Sequence, residues 1–202
     1  MNAPAKFILY DDCVMLPYDD YIRSNCQPFT CGNKDLDDFF LNDSALYAEE
    51  LLGKTYCWIT QQAPYQIVAI FTLANDSIKT RALNSNAKNR LQRHIVNPKR
   101  GRSYPAVLIG RLGVNDSFQG NSYHIGGQLM TFIKDWFRHE DNKTGCRFLV
   151  VDAYNNPRVL HYYEANGFIP LHRSEEDEKT YYDIPETETL QTRLMYFDLK
   201  LK

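Results

Sequence analysis

Apolar and polar positions change period along the chain, and the changes predict its elements. Ala106, Val107, Leu108 and Ile109, continued by Leu112 and Val114, have the length and β-branched content of a strand buried on both faces. From Ile125 the spacing becomes three or four. Leu129, Ile133 and Trp136, flanked by Met130, Phe132 and Phe137, then share one face of a helix. Cys146 to Asp152 predicts another short buried strand, and Pro157 to Asn166 a helix with proline in its first turn and Gly167 in the terminating position. The pattern also predicts a strand at Phe7 to Leu9, a helix from Lys34 to Leu51 after the polar Cys31-Gly32-Asn33 turn, and strands at Thr55 to Thr60 and Gln66 to Leu73. A central strand at Pro105 to Val114 and a last one near Arg193 to Leu199 complete a mixed α/β order.

Between the central strand and its helix lie Gln119, Gly120, Asn121, Ser122, Tyr123, His124, Ile125, Gly126 and Gly127. A helix start carries unpaired N–H groups and partial positive charge, and glycine lets an anion approach the backbone. The segment therefore predicts a phosphate or pyrophosphate site. Neither G-x-G-x-x-G nor G-K-S/T is present, so it is not a dinucleotide fingerprint or a P-loop.

Arg111, Leu112, Val114, Gln119, Gly120 and Gly126 instead resemble motif A of the GCN5-related N-acetyltransferases (GNAT), R-L-A-V-x-x-x-x-Q-G-x-G-x-G. The loop here is two residues longer, at Asn121 to His124, and lacks one family glycine. Tyr162, Tyr163, Glu164, Gly167 and Phe168 resemble the family's F-Y-E-x-x-G-F, and FTCGNKDLDDFF at Phe29 to Phe40 followed by GKTYCWI at Gly53 to Ile59 resembles the opening of its toxin–antitoxin subgroup. The resemblance implies a central mixed β-sheet flanked by helices, with the motif-A strand-loop-helix at 106–139, acetyl-CoA as cosubstrate and no metal. It implies cofactor contacts from Leu112, Gly113, Val114, Gln119, Gly120, Asn121, Ser122, His124, Ile125, Gly126, Gly127 and Asn156, and Tyr163 as the proton donor to the CoA sulfur. Asn156 before Pro157 reads equally well as a helix N-cap.

Composition narrows the setting. At 202 residues and 44% hydrophobic content the chain can bury a good core, and a single domain is expected over 1–202. Five cysteines without C-x-x-C or zinc spacing argue for reduced thiols in the cytoplasm, and no apolar stretch approaches membrane-spanning length. The net charge of −2 conceals two biased segments. Ser77 to Pro105 holds eight Lys or Arg and no acid, whereas Ser174 to Glu188 holds seven acids and one Lys. A basic insertion and an acidic solvated loop are expected there, solvation being the simpler role of each charge run.

An acetyl transfer needs a neutral amine, donors for an oxyanion and a proton for the departing thiolate. A lysine-like amine of pKa about 10.4 is neutral at pH 7 only at about 4.6 kcal/mol, an α-amine near 7.7 at about 1 kcal/mol. No strong base is evident. Asp116, His161 and Glu164 are nearby in sequence, but ion pairs or caps explain them more simply, and His124 reads first as filling the lengthened loop. The expected function is acyl-CoA-dependent N-acylation of a primary amine. Alternatives are a toxin acetylating aminoacyl-tRNA, with tRNA and an antitoxin as partners, and a non-catalytic acyl-CoA-binding or interaction module. A homodimer fits any of them, and the amine acceptor stays open.

Overall fold

A computed structural model describes residues 7–81, 83–96, 98, 103–120, 122–142 and 144–201. The first element is a helix, α1 (Leu9–Asp12), where the pattern predicts a strand at Phe7 to Leu9. The difference arises because side chains, one near and one far along the sequence, take the backbone donors. Ile8 N–H donates to Asp12 Oδ2 (2.6 Å) and Leu9 N–H to Gln128 Oε1 (2.8 Å). Next come β1 (Cys13–Pro17) and α2 (Asp20–Asn25), the latter capped by Asp19.

The long helix expected at Lys34 to Leu51 runs without interruption from 34 to 49, as α3 (Lys34–Asp38), a π-helical turn (Phe39–Asp43) and α4 (Ser44–Glu49). Asn33 Oδ1 caps α3 by accepting from Asp35 and Leu36 N–H. The wider turn accompanies the burial of both Phe39 and Phe40, whose rings meet edge to face at 5.6 Å.

The chain continues through β2 (Lys54–Thr60), β3 (Ile67–Lys79), α5 (Ser85–Gln92), β4 (Ser103–Val114), α6 (Ile125–Arg138) and β5 (Phe148–Tyr154). It ends with α7 (Pro157–Ala165), β6 (Ile169–Pro170), α8 (Glu175–Tyr182) and β7 (Thr192–Asp198). The strands form a seven-stranded mixed sheet in the order β1-β2-β3-β4-β5-β7-β6. Two compact units divide the chain, one comprising Met1–Ala74 and Ile109–Trp136, the other Asn75–Leu108 and Phe137–Lys202.

In the first unit, strand alternation sorts side chains onto two faces. Cys57 pairs with Ile70 on the face that meets Ile22, Phe39, Phe40 and Ile67. Tyr56 pairs with Phe71 on the other, where α6 brings an aromatic stripe: Phe132 lies 4.9 Å from Trp58, and Trp136 5.0 Å from Tyr56. Leu129 and Ile133 are fully buried, as their spacing predicts.

In the second unit, Ala106 to Leu108 of β4 run parallel to Phe148 to Val150 of β5, and β5 pairs antiparallel with β7. Phe148, Val150, Tyr104, Leu91 and Leu171 build its core. The basic segment Ser77 to Pro105 is not simply solvated. Ser77 to Lys79 belong to β3, and Arg90 of α5 donates from Nη2 to Pro170 O (2.6 Å) and Leu171 O (2.8 Å). Lys99, Arg100 and Arg102 lie outside the described residues.

The acidic segment is corrected more sharply. Residues 174–188, expected as a solvated loop, contain the helix α8. Ser174 Oγ caps it by accepting from Asp177 N–H (3.2 Å), and four acids in the first turn complement the helix dipole. One of them, Glu178, is only 1% exposed. Its carboxylate accepts from Arg193 Nε (2.7 Å) and Leu194 N–H (2.5 Å), fastening α8 to β7. Burial still pushes the Glu178 carboxyl above its ordinary pKa, against the pull of the Leu194 N–H and Arg193.

Candidate functional site

The predicted cofactor residues on the central strand and its loop come together in the first unit. After Val114, Asn115 Oδ1 accepts from Ser117 N–H (3.0 Å) and turns the chain into a single 3₁₀ turn at Asp116–Phe118. Gln119 holds that turn against the strand end. Its Nε2 donates to Val114 O (2.7 Å) and Cys31 O (2.9 Å), with a longer contact to Asp116 Oδ1 (3.3 Å). The Gln119 amide is therefore engaged in shaping the loop. Asp116 is likewise engaged, its N–H donating to Thr30 O (3.0 Å).

Gly120 adopts φ +65°, the left-handed region, and a Cβ there would meet nothing within 4 Å. The turn thus needs glycine for its backbone and leaves open space above it. Asn121 lies outside the described residues. Ser122 and His124 are exposed, and His124 has φ +52°. The α6 helix starts at Ile125, with Gly127 N–H (2.9 Å) and Gln128 N–H (3.1 Å) both donating to His124 O. Those bonds close the first turn, so the start of α6 faces the loop through the residues that precede Gly127.

On the strand, Leu112 and Val114 are half-buried and Gly113 is buried. A Cβ on Gly113 would meet Phe29 Cζ at 3.1 Å and Cys31 Cβ and Sγ at 3.2 Å. The resembling motif has alanine there, and in this chain Phe29 and Cys31 fill the space instead. Burial pushes the Cys31 thiol up to about 12, which keeps it protonated. The described parallel pairs of β4 with β5 stop at Leu108↔Val150, six residues before β4 ends.

Two features of the first unit carry no obvious sequence signal. One is Gln128, whose side chain binds the N-terminal segment and the loop together. The other is a cavity of about 430 Å³ lined by Tyr18, Arg23, Phe29, Lys34, Phe40 and Ile67 among others. Phe29 is shared between that cavity and the Gly113 position of β4.

The remaining candidates sit on α7 of the second unit. Asn156 Oδ1 accepts from Val159 N–H (2.9 Å), so its side chain performs the N-cap role. Gly167 follows the helix at φ +78°, as its terminating position requires. Tyr163 is 8% exposed, with its ring 5.1 Å from Tyr162 and 5.5 Å from Phe168. No hydrogen bond to its hydroxyl is found among the described residues. Burial pushes its phenol well above the ordinary tyrosine pKa, so it keeps its proton at neutral pH. His161 and Glu164 are exposed on the same helix.

No family model and no curated protein matches the chain. Solved structures do match it across nearly its whole length. A mutant of KacT superimposes with a TM-score of 0.64 at 17% identity, covering 94% of this chain and 96% of that one. AtaT complexed with acetyl-methionyl-tRNAfMet gives 0.63 at 21% identity, covering 94% and 96%. This chain has the GNAT fold. AtaTR bound with AcCoA agrees, with 0.61 at 21% identity and coverage of 94% and 95%. The β4-loop-α6 segment of this fold carries the residues whose sequence resembles motif A. Among the described residues no group of His, Cys, Asp or Glu could hold a metal ion, and no helix is long and apolar enough to cross a membrane.

Proposed function

We propose that the chain is an acyl-CoA-dependent N-acetyltransferase that works as a single domain in the cytoplasm. The observation that carries this reading is the strand-turn-helix at 103–138, with left-handed Gly120 opening space at the loop, within a fold shared by a structure bound to AcCoA. Bound acetyl-CoA supplies a thioester that an amine cleaves, leaving a thiolate.

The chain's own groups then divide the work. Gly120 and residues 122–126 offer backbone N–H groups and the helix start to the pyrophosphate. The β4 edge at Leu112 to Val114, beyond the described β5 ladder, offers amide groups to the pantetheine arm and the developing oxyanion. Gln119 shapes the loop from within, and Asn156 caps the helix that carries Tyr163. Tyr163 keeps its proton and donates a hydrogen bond to the sulfur as charge develops. From ordinary values, about 10 for tyrosine and 8.5 for a thiol, the phenol retains its proton by about 2 kcal/mol, and burial widens that gap. The Tyr163 hydrogen bond therefore stabilises the thiolate as the C–S bond breaks, and the proton that finally neutralises the sulfur is balanced by the one the attacking amine loses.

An α-amine or another weakly basic amine suits the reaction best, since its neutral form costs only about 1 kcal/mol at pH 7. The cavity beside Phe29 suits an apolar portion of that acceptor, having apolar walls from Phe29, Phe40 and Ile67, with Lys34, Asp37 and Asp38 also among its lining residues. Aminoacyl-tRNA is the more specific reading. It is supported by the likeness to AtaT solved with acetyl-methionyl-tRNAfMet and by the exposed cations Lys79, Arg81 and Arg93. An antitoxin partner follows from the same likeness, AtaT having been solved bound to the C-terminus of the antitoxin AtaR. The test is CoA release from acetyl-CoA with amines and charged tRNAs. Tyr163→Phe is expected to lower turnover at least tenfold and leave acetyl-CoA affinity unchanged. Equal turnover in both proteins would remove Tyr163 from the mechanism.

A further inference from the structure

Resting on the reading of Gly120 to Gly126 as the pyrophosphate loop, we infer that Gln128 is a positioning residue for the cofactor. It clamps the N-terminal segment onto that loop. Gln128 is the fourth residue of α6 and half-buried, and its side-chain amide makes three hydrogen bonds. Oε1 accepts from Leu9 N–H (2.8 Å), while Nε2 donates to Phe7 O (3.1 Å) and Tyr123 O (2.7 Å). All three partners agree on one orientation of the amide, with both N–H donors used on carbonyls. The clamp is completed by rings. Phe7 packs 5.2 Å from Phe118 and 5.5 Å from Tyr123, so it touches the loop on both sides of Gly120.

This arrangement answers a need that the sequence creates. The loop is two residues longer than the motif it resembles and lacks one of its glycines. A longer, less glycine-bound loop has more conformations, and each must be given up when a pyrophosphate binds. Pinning the Tyr123 carbonyl next to left-handed His124 fixes the chain just before α6 begins. Gln128 therefore acts through the loop and touches no reacting atom, which makes its expected signature a loss confined to phosphate recognition.

Gln128→Glu keeps an acceptor for Leu9 N–H but turns carboxylate oxygens toward the Phe7 and Tyr123 carbonyls. Calorimetric titration of the full chain with acetyl-CoA, ADP and pantetheine reads the effect. The variant should bind acetyl-CoA and ADP about tenfold more weakly, the weight of one good hydrogen bond, with pantetheine affinity and saturated turnover within about twofold of the parent. Phe7→Ala, which leaves the three hydrogen bonds in place, should show the same ADP-selective loss to a smaller degree and carries the test if Gln128→Glu does not fold. Unchanged ADP affinity, or an equal loss for pantetheine, would overturn the inference. A parent protein that binds neither ADP nor acetyl-CoA would overturn the loop reading itself, and the inference with it.

Discussion

Gly113→Ala adds a single carbon, and the structure places it among three atoms. Its Cβ would lie 3.1 Å from Phe29 Cζ and 3.2 Å from both Cys31 Cβ and Sγ, on a buried strand residue. Two effects compete. Gly113 does not occupy the left-handed region, so alanine should restrict the unfolded chain and stabilise by about 0.4–1 kcal/mol. Overpacking a filled site costs about 1–3 kcal/mol, and Cys31 Cβ cannot swing away because its position is set by the backbone. The cost should win by about 1–2 kcal/mol, which lowers the melting temperature by about 2–8 °C at this chain length. Thermal unfolding followed by circular dichroism checks this. Shortening the ring with Phe29→Leu should recover part of the loss in the double variant, a coupling of at least about 0.5 kcal/mol. An unchanged or higher melting temperature for Gly113→Ala would refute the packing argument, since alanine is what the resembling motif carries there.

Two further predictions concern the second unit. Arg193→Ala leaves the 1%-exposed Glu178 carboxylate with only the Leu194 N–H, and should destabilise by about 3–5 kcal/mol in a denaturant titration. His172 is 1% exposed, and burial, with Arg193 and Arg90, holds its pKa below the ordinary imidazole value against the pull of Asp177. A depressed histidine contributes stability that is complete above its unfolded pKa of about 6.5 and is lost as pH falls below it. Glu178, with a raised pKa, contributes with the opposite sign as pH falls toward about 4.3. The two are separated by comparing melting temperatures of the parent and His172→Phe from pH 7.5 to 5, where the variant should lose less.

The parts of the fold legible in the sequence are those where one pattern dictates one environment. The β4 run, the Leu129 and Ile133 stripe of α6 and the Pro157 to Gly167 punctuation of α7 each have a local cause that the chain displays directly. What stayed hidden depends on partners far away in sequence. Phe7 to Leu9 has strand-like residues, yet its N–H and C=O groups are claimed by Gln128, more than a hundred positions later. The acidic run reads as solvated because charge inventory cannot show that Arg193 and Leu194 wait for one carboxylate among seven. The candidate site follows the same division. Its strand-loop-helix plan is readable, but the inward use of Gln119, the capping by Asn156 and the occupation of the Gly113 space by Phe29 are properties of folded neighbours.

The central claim is that the lengthened loop with left-handed Gly120 still holds a pyrophosphate. Calorimetric titration with acetyl-CoA, with CoA and ADP alongside, addresses it most directly. The account predicts saturable micromolar binding of acetyl-CoA and CoA at one site per chain, weaker binding of ADP to the same site, and loss of all three in Gly120→Val, whose β-branched side chain is strained at φ +65°. Absence of acetyl-CoA binding by the folded parent protein, or full binding by Gly120→Val, would contradict it.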